Sequence, residues 1–125
     1  MNELRITLDV TKRPTPLRPL KVGLGDREYP WLQVSFTDNG EKAEAGGYDA
    51  TLIMKSGDEV KKRNAFSKVY DSGASCYVRF GMMGLYKQSN WKLPGKGIGY
   101  VVLEKGDVKL STQRFEFEVI EGKNA

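Results

Sequence analysis

The sequence predicts an all-β fold, and three observations lead to that prediction. Stretches of alternating apolar and polar residues recur along the chain, with the period of two that a half-buried strand requires. Turn-forming residues separate these stretches at short intervals. No stretch has the apolar period of an amphipathic helix. We therefore expect an Ig-like antiparallel β-sandwich of about eight strands, with little or no helix, although the pattern alone also allows a barrel.

The first half of the chain is expected to contain two strands and an extended segment. Residues 4–10 alternate strictly and predict the first strand. Residues 11–20 are rich in proline, which cannot donate to a ladder, so they predict an extended arm or a sheet edge. A glycine-rich turn is expected at 23–26. The second strand, 31–36, leads into Asp38-Asn39-Gly40, a strong turn signal because asparagine and glycine tolerate positive φ.

The second half is expected to supply the remaining strands. Residues 41–47 predict a loop, and the least readable part, 61–75, predicts a weak strand and a loop. Glycines punctuate the stretch from 81 to 97, where one short helical turn is possible. The remaining expected elements are two strands in 48–60 with a turn at 56–58, a strand at 76–80, a hairpin at 98–111 with its tip at 105–107, and a final alternating strand in 108–122.

Length and composition predict one domain covering residues 1–125. A chain of this size can bury a core without metals or disulfides. Cys76 is the single cysteine, so no internal disulfide can form, and we expect a reducing setting during folding. The N-terminus lacks the apolar segment of a signal peptide. No apolar run approaches the roughly 20 residues that a membrane span needs.

The residue types argue against catalysis. The chain has no histidine, so it can build neither a Ser-His-Asp triad nor a Cys-His pair nor a histidine-containing zinc site. Glu116 and Glu118 lie about 7 Å apart on one face of the last strand. They alternate with Phe115 and Phe117, which indicates a solvated strand face rather than a catalytic pair. We predict that the protein is not an enzyme and needs no metal or cofactor.

Two further motifs are better explained by structure than by ligand binding. The stretch PGKGIG lacks the spacing of a phosphate loop and precedes a strand rather than a helix. Gly95, Gly97 and Gly99 are therefore expected to form a turn and a bulge. The net charge is a mild +4, and the best basic cluster, residues 61–63, follows acidic residues. A solvated turn is expected there, and no nucleic-acid partner.

Aromatic and proline residues supply the candidate contacts with partners. An aromatic set could line a sugar-binding surface, although such residues more often pack in cores or in protein interfaces. Its members are Trp31, Tyr48, Tyr77, Tyr86, Trp91 and Tyr100. Trp31 is out of phase with the apolar residues of its strand, which places it on the opposite face. The predicted interface residues are Pro14, Pro16, Leu17, Pro19, Leu20, Trp31 and Trp91.

Several stretches, in order, give the chain a resemblance to a known family. ITLDVTK is followed by a glycine-aspartate turn, the strand WLQVSF and an Asp-Asn-Gly turn. GGYDATLIMKSGDE and GKGIGYVVLEKGDVKLSTQRFEFEVIEG come later. Together they resemble the N-terminal domain of the phage baseplate upper protein family, found in tails of phages of Gram-positive bacteria. The resemblance covers nearly the whole chain, and the stretch from 61 to 92 departs most from it.

This resemblance implies a non-enzymatic β-sandwich in the virion tail, made in the bacterial cytoplasm. In the family, the domain docks onto the distal tail ring and anchors the host-recognition apparatus. Further modules often follow it, so we expect either a stand-alone short tail protein or part of a longer one. Expected partners are tail and baseplate proteins. A homo-oligomer is also compatible with the sequence, and no membrane partner is expected.

Two other functions remain open at this stage. The alternative is a carbohydrate-binding module that contacts host cell-wall glycans, which an exposed aromatic platform beside a groove would favour. A weaker third hypothesis is a small basic nucleic-acid-binding barrel, whose binding would weaken steeply with salt.

Overall fold

The computed structural model describes residues 4–11, 19–24, 31–81 and 95–121, and every regular element in these ranges is a β-strand. Two sheets form a sandwich, which confirms the all-β fold predicted from the sequence. The strands are β1 (Leu4–Asp9), β2 (Leu20–Leu24), β3 (Trp31–Asp38), β4 (Glu41–Lys42), β5 (Asp49–Ser56), β6 (Glu59–Asn64), β7 (Tyr70–Asp71), β8 (Cys76–Gly81), β9 (Gly95–Lys105), β10 (Val108–Ser111) and β11 (Phe115–Glu121).

The two sheets share one core. The five-stranded sheet has the order β1-β3-β8-β7, with β4 paired to β3. The six-stranded sheet has the order β2-β11-β9-β5-β6, with β10 paired to β9. Alternate apolar residues of both sheets meet in one buried cluster, and burial of this apolar surface drives folding. Its larger members include Leu8, Leu32, Val34, Phe36, Phe80, Leu52, Met54, Leu103, Phe115 and Phe117.

Two of the nine strand pairings in the described ranges are parallel, which the sequence did not indicate. β1 runs parallel to β3, and β2 runs parallel to β11. β1 and β2 belong to different sheets, so the chain between them passes from one sheet to the other.

Three predicted turns are confirmed. Asn39 and Gly40 have φ values of 54° and 85°, so both central residues of the turn between β3 and β4 lie in the left-handed region. Gly57 and Gly106 have φ values of 58° and 57° in the turns that join β5 to β6 and β9 to β10. These two-residue connections fix the register of both hairpins.

Other boundary predictions need correction. Gly23, expected in a turn, lies in β2 opposite Ile120, while Gly25 and Asp26 lie outside the described residues. The basic cluster 61–63 is part of β6, an edge strand paired with β5, and not a turn. Lysines on an edge strand discourage pairing with other sheets. Glu41 and Lys42 form the short strand β4 within the expected loop. A second short strand, β7, lies in the stretch 61–75. The possible helical turn lies outside the described ranges, at residues 82–94.

The three glycines also differ from the prediction of a turn and bulge, because Gly95 begins β9 and Gly97 and Gly99 lie inside it. A Cβ atom on Gly99 would lie 2.5 Å from Cζ of Phe115. A Cβ atom on Gly97 would collide with Cζ of Phe117 and with the backbone oxygen of Lys55. Both glycines are therefore required by the close approach of aromatic rings from the neighbouring strand.

Asp9 ties three connections together at one end of the sandwich. Its side chain is buried and accepts hydrogen bonds from Thr11 N (2.7 Å), Thr37 Oγ1 (2.8 Å), Asn39 N (3.1 Å) and Gly40 N (2.9 Å). Its backbone exchanges hydrogen bonds with Gln113, in the connection between β10 and β11. Burial alone would raise the pKa of this carboxyl, but the hydrogen bonds outweigh it and hold the pKa below its usual range.

Candidate interaction surface

Three of the predicted interface residues lie within the ranges that the structure describes. Pro19 is exposed and precedes β2, whereas Leu20 is half-buried and packs against the core of its own chain. Trp31 begins β3 and, as its phase indicated, lies on the face opposite Leu32, which points into the core. Pro14, Pro16, Leu17 and Trp91 lie outside the described residues.

The outer face of the five-stranded sheet carries an aromatic cluster. Strand register sets Trp31 beside Gly81 and Tyr77 beside Tyr70. Phe66 comes from the connection between β6 and β7 and covers Gly81, where a Cβ atom would lie 2.9 Å from its Cζ. A glycine at position 81 therefore leaves the space that Phe66 occupies. We call Trp31, Phe66, Tyr70 and Tyr77 the aromatic surface.

The rings of the aromatic surface form two edge-to-face pairs. The centroids of Trp31 and Phe66 are 4.7 Å apart at an interplanar angle of 70°. Those of Tyr70 and Tyr77 are 5.5 Å apart at 68°. Edge-to-face packing stabilises aromatic pairs beyond the area that they bury, so each pair holds its rings in place. Even so, Phe66 is 64% exposed and Tyr70 is 57% exposed.

A shallow hollow of about 630 Å³ opens between the two pairs. The four aromatic residues line it together with Ser67, Val78 and Arg79. Nε of Arg79 donates a hydrogen bond to Oε1 of Gln33 (3.3 Å), the residue opposite it on β3. The hollow thus combines apolar rings with a positioned guanidinium and contains no carboxylate among its lining residues.

The aromatic residues noted from the sequence do not gather into one surface. Tyr100 lies on the outer face of the other sheet, where Nζ of Lys55 and Cζ of Arg114 are each 5.5 Å from its ring centroid. Tyr48 is half-buried near Lys105. Only Trp31 and Tyr77 belong to the aromatic surface, and Tyr86, like Trp91, falls outside the described ranges.

Sequence reasoning missed Phe66 and Tyr70. Both lie in the stretch 61–75, for which only a weak strand and a loop were predicted. Phe66 is an isolated large apolar residue in the polar run RNAFSK. An apolar residue without periodic apolar neighbours has no core face to join, and this signal would have indicated exposure.

Other kinds of site find little support in the described part of the chain. No group of three or more potential metal ligands occurs among residues 4–11, 19–24, 31–81 and 95–121. The thiol of Cys76 is buried and donates to the carbonyl of Ala43 (3.0 Å). Glu116 is exposed, as expected for a solvated strand face. Within the same ranges, no helix has the length and apolarity to cross a membrane.

Comparison with known proteins gives a match in structure and none in sequence. No family model matches the chain, and no curated protein matches it. Among solved structures, the N-terminal domain of phage TP901-1 ORF48 matches with a TM-score of 0.65 at 18% identity, covering 97% of this chain and 100% of that one. The match confirms, at the level of the fold, the resemblance to a phage protein domain noted from the sequence. In fold, the chain is similar over nearly its whole length to the N-terminal domain of a phage protein.

Proposed function

We propose that this protein is a non-enzymatic structural component of a phage or prophage tail baseplate. It anchors the host-recognition apparatus to the distal tail by docking on other tail proteins, and it resides in the virion tail after synthesis in the bacterial cytoplasm. The observation that carries the proposal is the whole-chain similarity in fold to the N-terminal domain of a phage protein, which agrees with the sequence resemblance to the phage baseplate upper protein family. Fold alone does not define function, so the docking role needs its own support.

The aromatic surface supplies that support. Tryptophan, tyrosine and arginine are the residues that most often dominate binding energy at protein interfaces, and Trp31, Tyr70, Tyr77 and Arg79 lie together around one hollow. Phe66 adds a large exposed ring beside them. Burial of these rings under a partner removes apolar area from water at little cost in side-chain entropy. We therefore assign docking on the distal tail ring to this surface.

The proline-rich segment is a second contact in this proposal. Its first residue, Thr11, is held by Asp9, and its end leads into Leu20, which pairs with Phe117. Both ends are thus fixed to the sandwich, and Pro19 is exposed at one of them. Deletion of residues 11–20 would cut the passage between the sheets, so substitution of the exposed Pro19 is the better test of this contact.

Truncation of exposed rings is the direct test of docking. Phe66→Ala and Tyr70→Ala are each expected to weaken binding to the distal tail ring protein of the same genome by about 10- to 100-fold, because exposed rings that become buried are hot spots. Isothermal titration calorimetry measures the change. Val108→Ala is the matched control, since Val108 is 47% exposed on the other sheet, and its binding should remain unchanged.

The outcomes separate the docking face from the docking function. Unchanged binding by both ring variants would contradict the assignment of the aromatic surface. Absence of binding by the unaltered chain to any tail protein of its genome would contradict the proposed function itself.

Carbohydrate binding remains a second candidate, because the hollow favours it. Its volume of about 630 Å³ falls within the roughly 300–1,000 Å³ of small-molecule sites. Aromatic rings that stack on the apolar face of a sugar, with Arg79 and Ser67 beside them, give such a ligand both apolar and polar contacts. Titration with soluble cell-wall glycan fragments, monitored by tryptophan fluorescence, tests this candidate. A saturable change that Phe66→Ala removes would support it.

A further inference from the structure

The outer face of the six-stranded sheet carries a row of five exposed residues that crosses all of its long strands. Register places Val60 beside Lys55, Lys55 beside Ile98, and Ile98 beside Glu116. Pro19 comes next, because Leu20 pairs with Phe117 and each residue lies one position earlier. All five side chains are exposed, Val60 by 47% and Ile98 by 43%. We call these residues the cross-strand row.

The cross-strand row is complementary to a second copy of the row that runs in the opposite order. In one direction it runs apolar, cationic, apolar, anionic, apolar. A second copy, turned about a two-fold axis that lies between the copies and parallel to β9, presents the row in the opposite order. Lys55 of each copy then faces Glu116 of the other, Ile98 faces Ile98, and Val60 faces Pro19. Within the row, an axis perpendicular to the strands would instead set Lys55 against Lys55 and Glu116 against Glu116, so the charges of the row favour the axis parallel to β9.

The surroundings of the row also suit an interface. Ile53 and Val102 alternate with core residues and therefore belong to the outer face, but they are only 9% and 7% exposed, so the apolar contact area comes from the row itself. Tyr100 lies near them, between the cations of Lys55 and Arg114. A hollow of about 550 Å³ beside Ile98 gives room for side chains of an opposing copy. An apolar centre with a charged rim is the usual anatomy of a protein interface.

We propose that this protein pairs with a second copy of itself through the cross-strand row, in an isologous dimer whose two-fold axis runs along β9. Two sheets can pack face to face in this way, with strands aligned to within about 30°. This interface lies on the opposite side of the sandwich from the aromatic surface. One domain therefore has one face for a tail partner and another for its own copy, which is what a repeated structural component of an assembly needs.

Sedimentation of the unaltered chain and of charge-reversed variants tests the proposal. The unaltered chain is expected to shift from monomer to dimer as its concentration rises to about 1 mM. Lys55→Glu and Glu116→Lys should each weaken dimerisation at least tenfold, because each sets like charges face to face. An equimolar mixture of the two variants should regain the dimer. In the mixed dimer, Lys55 of the Glu116→Lys chain faces Glu116 of the Lys55→Glu chain, and the two introduced side chains, which carry opposite charges, face each other. Lys109→Glu, at an exposed position on β10, is the matched control and should not change the dimer.

Three results would overturn the proposal. The first is a chain that stays monomeric at every concentration up to about 1 mM. The second is a dimer that persists in both charge-reversed variants. The third is a mixture that remains as weakly associated as its components, which would exclude the stated axis. Circular dichroism of each variant checks that the fold is intact. Because Phe66→Ala does not touch the cross-strand row, its effect on ring binding reports on the proposed function independently.

Discussion

Replacing Gly97 with alanine is expected to destabilise the fold by about 3 kcal/mol or more, the upper range for overpacking a core. The added methyl group would collide with the ring of Phe117 and with the backbone oxygen of Lys55. The ring is fully buried, and the oxygen belongs to a strand paired on both sides, so neither can move without disturbing the sandwich. The free energy of unfolding in urea, compared with that of the unaltered chain, measures the effect.

Gly99→Ala is expected to cost less, about 2 kcal/mol. Here the added methyl group meets only the ring of Phe115, with its nearest atoms at 2.5, 2.8 and 3.0 Å. A ring can shift by a few tenths of an ångström more easily than two paired strands can separate. Gly57→Asn is the control for both variants, because space around Gly57 is open and asparagine tolerates its positive φ. Alanine variants as stable as the control would show that the rings do not require the two glycines.

Asp9→Asn is expected to destabilise the fold by about 2–4 kcal/mol, because loss of a charged acceptor leaves several partly buried donors without good partners. The amide group offers one acceptor oxygen in place of two, against the hydroxyl of Thr37 and the N–H groups of Thr11, Asn39 and Gly40. Urea unfolding at neutral pH measures this loss. Asp107→Asn, an exposed carboxyl in a turn, is the matched control and should change the stability little.

The same carboxyl predicts how stability depends on pH. The pKa of Asp9 in the folded protein lies below its ordinary value of 3.8, so the folded state binds this proton more weakly than the unfolded state does. Its contribution to the free energy of unfolding is therefore complete at pH values well above the ordinary pKa. That contribution is lost as the pH falls through the pKa of the folded state. The stability gap between the unaltered chain and Asp9→Asn should narrow under acid conditions. A gap that stays constant from pH 7 to about pH 2 would contradict this account.

The sequence predicted the strands that bury one face and missed what depends on contacts between distant residues. β3 and β8 alternate cleanly and were predicted nearly to their ends, as was the hairpin of β9 and β10. The parallel pairings were not predictable, because the residue pattern of β1 or β2 does not determine which strand will pair with it. The role of Gly97 was misread because the ring that requires it comes from Phe117, on another strand.

The candidate surface was predictable in part. Trp31 was placed on the outer face by its phase alone. Phe66 and Tyr70 were missed because their segment lacks periodicity, and only the folded chain brings them to Trp31 and Tyr77. The cross-strand row could not be predicted from the sequence either. Charges at Lys55 and Glu116 become partners only when the register of three strands is known.

The central claim is that this domain is built into a phage tail and docks there through its aromatic surface. Chemical cross-linking with mass spectrometry on tails purified from an induced lysate tests it most directly. We expect peptides of this chain in the purified tails, with cross-links to the distal tail ring protein from Lys68, an exposed residue that follows Ser67 of the hollow in the chain. Absence of the chain from tails that are otherwise complete, or its presence with cross-links to the ring only from the opposite sheet, would contradict the account.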